Sequence, residues 1–195
     1  MDLKDRGKAL EEEFFKREEA RKLAALKGKQ ERGELRTALA AASGMTDEQV
    51  LDHLIDAGIT AETMTAVSLV PLVAVAWADG SIQEREREAI LHSARGKGIE
   101  EGSPAYEMLA AWLQRKPGRD LVAAWESYIE ALDAKLTGAQ LDILKRQVLD
   151  RARDVATAAG GFLGVGKISG QEEKVLERLA AAFDRRGARI ADTEK

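Results

Sequence analysis

Cysteine is absent from this sequence. That excludes disulfides, thiolate metal sites, iron–sulfur clusters and cysteine nucleophiles, and it suits a reducing compartment. Histidine occurs only twice, at His53 and His92. Neither belongs to a His-x-x-x-His or Glu-x-x-His pattern, so zinc-protease and di-iron helix sites lack their usual signature. Proline occurs three times and aromatic residues make up 5% of the chain, which disfavours a β-sandwich or barrel. A long apolar run is also missing. Ala66–Ala78, interrupted by Ser68 and Pro71, is the longest nearly apolar stretch, and a membrane-spanning helix needs roughly 20 residues. The opening MDLKDRGKAL carries charges where a signal peptide would be apolar. Finally, no strong excess of one charge exists. Thirty Lys and Arg stand against 34 Asp and Glu, a net charge of −4, and no basic–aromatic cluster favours nucleic acid. These absences predict a cytoplasmic protein without membrane insertion and without a nucleic-acid partner.

What is present favours helix. The 195 residues are 45% hydrophobic and 33% charged, enough for a core, and Ala, Leu, Glu, Lys and Arg abound. Residues 1–36 hold 11 basic and 9 acidic residues. Leu3, Leu10 and Phe14 lie at helical spacing there, and Glu12–Lys16 and Glu18–Lys22 are acid-before-base pairs one turn apart. This segment reads as an exposed charged helical arm, weakened at Gly28 and Gly33, that could dock on a protein partner. An Ala-rich helix at about 34–42 and another opened by Thr46 complete an extension over residues 1–60.

The remainder, 61–190, reads as a helical domain. An apolar helix is expected from Thr60 to about Ala78, kinked or split by Pro71. Charged helices follow at about 83–95, 104–115, 119–135, 138–159 and 170–186, with Ser103-Pro104 and Ser169 as start signals. No segment alternates as a strand would. The fold class is all-α, a bundle of about seven helices plus the N-terminal arm.

Two motifs could carry chemistry. Gly161-Phe-Leu-Gly-Val-Gly166-Lys167 matches most of a phosphate-binding loop, but Ile168 stands where a Ser or Thr should reach Mg²⁺, and no strand precedes it. Its glycines are better read as a turn between helices. The second motif is Asp79-Gly80-Ser-Ile82-Gln-Glu-Arg-Glu86. The spacing matches the second half of a calcium loop: an acid, a turn glycine, an apolar anchor, then a glutamate. Trp77 and Val75 occupy the positions where an EF-hand needs further oxygen donors, so an ordinary EF-hand is excluded. The same residues also make sense without a ligand. Asp-Gly ends a helix, Ile82 packs, and Glu86 sits in a first turn where acids suit the helix dipole.

The motif recurs 86 residues later, where Gly166, Ile168 and Glu172 match Gly80, Ile82 and Glu86, and Val165 replaces Asp79. Two copies suggest a pseudo-twofold duplicated bundle.

An apolar helix ending in Ala-Asp-Gly-x-Ile-x-x-x-Glu-Arg, with a second Gly-x-Ile-x-x-x-Glu downstream, resembles the TerB family. This family comprises the tellurite-resistance TerB proteins and the related N-terminal domains of DjlA-type proteins. The resemblance spans about 61–190. It implies a duplicated helical bundle, a stress-response role, no enzyme activity, and a divalent-metal site (Ca²⁺, Mg²⁺ or Mn²⁺) of acidic residues from the two repeats. Carried over position by position, that site comprises Asp79, Glu86 and Glu172, and Val165 removes one ligand from the second copy. The start of the arm, Asp5-Arg6-Gly-Lys8-Ala9-Leu-Glu11 followed by Phe14 and Phe15, resembles the small helical zeta subunit that inhibits alphaproteobacterial ATP synthase. The alternative to a metal-binding protein is a helical adaptor that docks through this arm.

Overall fold

The computed structural model describes residues 3–159 and 168–184, and among them every regular element is helical. The elements are α1 (Leu3–Ser43), α2 (Glu48–Asp56), a 3-10 segment (Met64–Leu69), α3 (Val70–Ala76), α4 (Glu84–Gly96), α5 (Pro104–Gln114), α6 (Arg119–Asp133), α7 (Gly138–Ala159) and α8 (Gly170–Phe183). The all-α expectation therefore holds. The seam read at Leu3, Leu10 and Phe14 and the glycine-rich stretch 160–167 fall outside the described side chains and residues.

Two local expectations are corrected and a third is settled between its alternatives. The helix expected separately at about 34–42 is continuous with the arm, and α1 runs through Gly28 and Gly33 as one helix. A glycine costs a helix interior about 1 kcal/mol, and here it is flanked by strong helix formers. The helix opened by Thr46 starts one residue later. Asp47 is its N-cap, and its carboxylate accepts from the backbone N–H of Gln49 and Val50 at 2.9 and 3.2 Å. Of the two outcomes expected for the apolar helix at 60–78, a kink or a split, the structure shows the split. A 3-10 turn gives way to α3, and Pro71 sits in the first turn of α3, where its missing N–H costs nothing.

The core is continuous across the boundary expected at residue 60. Leu39, Met45, Leu51, Leu54 and Ile59 are buried in the same cluster as Leu69, Leu72, Val73, Trp125 and Leu176. α2 lies along α6, and His53 Nδ1 meets the Ser127 hydroxyl at 3.0 Å. The inner end of α1 is held by charge. Arg32 and Arg36 both bond Asp52, at 2.8 and 2.7 Å, and Arg32 reaches Asp56 at 2.9 Å. The body thus begins near Arg32. Outward of it, every described side chain from Ala20 to Glu31 is exposed. The arm is the outer half of α1 and not a segment of sixty residues.

The centre is built from the helices of the two motif copies. α3 packs on α7 and α8, α4 packs on α7, and α6 packs on α8. Leu121, Ala124, Trp125 and Ile129 form the buried stripe of α6 at helical spacing. Trp125 meets Phe183 of α8 edge to face, with ring centroids 5.8 Å apart.

Candidate functional site

The turn between α3 and α4 is set by its sequence. α3 ends at Trp77, whose indole N–H donates to the Trp112 carbonyl at 2.8 Å, while Lys116 donates to the Trp77 carbonyl at 2.8 Å. Gly80 follows with φ +97, a conformation that disfavours any side chain. Asp79 is exposed, and its carboxylate accepts from the Ser81 N–H at 3.3 Å. Ile82 packs against the core. The chain then enters α4, whose third residue is Glu86.

Glu86 is 3% exposed. Its Oε2 accepts from the Gln83 N–H at 2.7 Å, so the carboxylate turns back onto the start of its own helix. This satisfies a backbone donor that has no partner within the helix. The second copy repeats the device. Glu172 is 7% exposed, and its Oε2 accepts from the Ser169 N–H at 2.5 Å. The Ser169 hydroxyl in turn accepts from the Glu172 N–H at 3.2 Å, which closes a reciprocal capping box.

The two helix starts are linked electrostatically. Burial pushes the Glu86 carboxyl up to about 7, against the pull of the Gln83 N–H, and the charges of Glu172 and Asp79 push it further in the same direction. Glu86 thus feels both of the other residues singled out by the sequence motif. Glu172, 86 residues away in the chain, acts on Glu86 through its charge.

All three groups are hard oxygen donors, which suits Ca²⁺, Mg²⁺ or Mn²⁺ in kind. In number they fall short. Among the described residues no group of three His, Asp or Glu side chains stands close enough to hold a metal ion together. One oxygen of each buried glutamate is already committed to a backbone N–H.

Sequence reasoning missed the capping role of Glu172, although Ser169-Gly-Gln-Glu172 is an S-x-x-E capping box in plain view. It also missed a cleft of about 520 Å³ on another face, which Lys97 and Arg151 border. These two cations lie 54 residues apart (151 − 97) on different elements, so no local signal could have joined them.

The fold and this site define an all-α bundle with a duplicated, glutamate-capped helix start. No protein-family model matches the chain, and no curated protein or solved structure is significantly similar to it.

Proposed function

We propose that this chain is a non-catalytic, TerB-like stress-response protein that takes a divalent cation where the starts of α4 and α8 meet. The observation that supports this reading is the burial of Glu86 beside Glu172, with Asp79 close enough to raise its proton affinity. Two buried carboxylates in one small space repel each other, and a cation or a proton relieves that repulsion. Asp79, Glu86 and Glu172 would supply the charge, and water and backbone carbonyls would complete the shell. So few protein ligands make binding weak, hard-cation selective and asymmetric, because Val165 removes the counterpart of Asp79.

The test uses Tb³⁺ luminescence sensitised by Trp77, which adjoins the motif. Titration of the wild type, Asp79→Asn and Glu172→Gln should show the largest loss of affinity for Asp79→Asn, with Ca²⁺, Mg²⁺ or Mn²⁺ displacing the signal. Identical titrations from all three proteins would leave the glutamates as helix caps alone.

A second reading, a helical adaptor, draws on the outer half of α1. Leu23 and Leu26 are 70% and 66% exposed on a stretch of helix, residues 20–31, whose side chains are all exposed. A partner retained by the full chain and lost on deletion of residues 1–29 would favour it.

A further inference from the structure

The cleft of about 520 Å³ lies between the end of α1, the 3-10 segment, α6 and α7. Its volume falls within the roughly 300–1,000 Å³ of small-molecule sites. The walls are aliphatic, formed by Met64, Leu72, Ile129, Leu132, Leu144 and Val148. Leu72 and Ile129 are fully buried core residues, so the floor is part of the rigid body. The charged groups among the described residues of the cleft are of one sign. Lys97 and Arg151 both border it, and no Asp or Glu does. That departs from a chain whose acids outnumber its bases 34 to 30.

The two cations are close enough for Arg151 to lower the proton affinity of Lys97, on top of the effect of partial burial. Neither makes an ion pair or hydrogen bond with a described residue, whereas Arg32, Arg36, Arg87, Lys145 and Arg178 all do. Like charges beside an apolar cleft that no described acid lines favour an anion there. Tyr128 adds a phenol at the same cleft. Burial raises its proton affinity, so it stays a neutral donor.

The geometry points to this cleft as a binding site for a single-chain amphipathic anion, such as a long-chain carboxylate. Its apolar chain lies along Met64, Leu72, Ile129 and Val148, and its head group bridges Lys97 and Arg151. The aliphatic walls select a flexible hydrocarbon chain over a flat polar ligand. The paired cations select one anionic head over an alcohol or an ammonium. This site is independent of the acidic helix starts, so the two can fail separately.

The experiment is calorimetric titration of the full chain at about pH 7 with dodecanoate kept monomeric, against dodecanol, dodecyltrimethylammonium and acetate. Dodecanoate should bind once per chain, and dodecanol and the ammonium should bind at least roughly tenfold more weakly, the scale of one charge-assisted hydrogen bond. Acetate, lacking the chain, should not register. Lys97→Gln and Arg151→Gln should each weaken dodecanoate roughly tenfold and leave dodecanol unchanged. Both side chains are on exposed residues, so both variants should keep the wild-type Tm. Val148→Trp, which fills the cleft, should lose dodecanoate and dodecanol alike. Equal affinity for dodecanoate and dodecanol, or unchanged dodecanoate binding in both charge variants, would overturn the proposal. So would binding to phosphatidylglycerol vesicles without binding to the free carboxylate, which would assign the cations to a membrane surface.

Discussion

The starts of α4 and α8 solve one problem in two ways. Each helix must satisfy backbone N–H groups that have no partner within it, and each does so with a buried glutamate at its third position. At α8 the cap is reciprocal, because the Ser169 hydroxyl accepts from the Glu172 N–H while Glu172 accepts from the Ser169 N–H. At α4 Gln83 and Glu86 form the corresponding capping box, with an amide side chain in place of the hydroxyl, and an exposed Asp79 and a left-handed Gly80 precede it. The second copy has the residue type preferred as an N-cap, Ser169, and Val165 in place of the preceding acid. The first has the extra acid. A glutamate in this motif therefore needs no ligand to explain it, and the proposed cation site rests on the two copies acting together.

The largest expected effect concerns the frame that holds both starts. Deleting residues 1–60 strips Leu39, Met45, Leu51, Leu54 and Ile59 from the shared core. At about 2–5 kcal/mol for each large buried side chain lost, the remainder should not melt cooperatively. Deleting residues 1–29 should leave Tm unchanged. If the fragment beginning at residue 61 melts sharply, the body is smaller than described here and the comparison of the two starts can be made on a shorter chain.

Truncating the caps comes next. Glu86→Ala and Glu172→Ala should each destabilise the protein by about 1–3 kcal/mol, because each strands a backbone donor near the core. Chemical denaturation measures both. A neutral result at either position would mean that water replaces that cap.

The pH dependence sharpens the contrast further. The folded state raises the Glu86 carboxyl to about 7 from an ordinary value of 4.5. A carboxyl raised on folding binds a proton that the unfolded chain releases, so its contribution is fully present below pH 4.5 and is lost as pH rises to about 7. Wild-type stability should fall across that window. Glu86→Gln keeps an acceptor for the Gln83 N–H and removes the charge. It should flatten the slope and exceed the wild type above pH 7 by roughly 1 kcal/mol, once solvent screening is allowed for. Parallel pH curves for the two proteins would contradict the coupling.

The smallest effect lies at the N-cap residues themselves. Ser169→Ala removes the hydroxyl that receives the Glu172 N–H and should cost about 1 kcal/mol. Gln83→Ala should cost less, because glutamine is a poor N-cap. Equal costs would show that the two boxes are equivalent.

Much of this was legible in the sequence, for reasons that particular residues make plain. Ser103-Pro104 and Ser169 fixed the starts of α5 and α8 because capping chemistry is local. Glu86 and Glu172 could be matched to one another because the motif repeats, whereas grouping them with Asp79 rested on the family resemblance. Burial and distance were harder. The continuity of α1 through Gly28 and Gly33 depends on summed propensity over 41 residues, which a break signal at one glycine does not reveal. The burial of α2 against α6 depends on long-range packing, so an amphipathic nine-residue helix next to the arm read as part of it. The cleft bordered by Lys97 and Arg151 has no signature in the sequence at all.

The most direct test of the account is a carboxyl NMR titration of Glu86 in the wild type and in Glu172→Gln. The account predicts that Glu86 titrates near 7 in the wild type and at a lower pH once the Glu172 charge is gone, with Asp79→Asn giving a smaller shift in the same direction. Titration near the ordinary 4.5 in both proteins, with no response to Glu172→Gln, would show that the two helix starts do not meet.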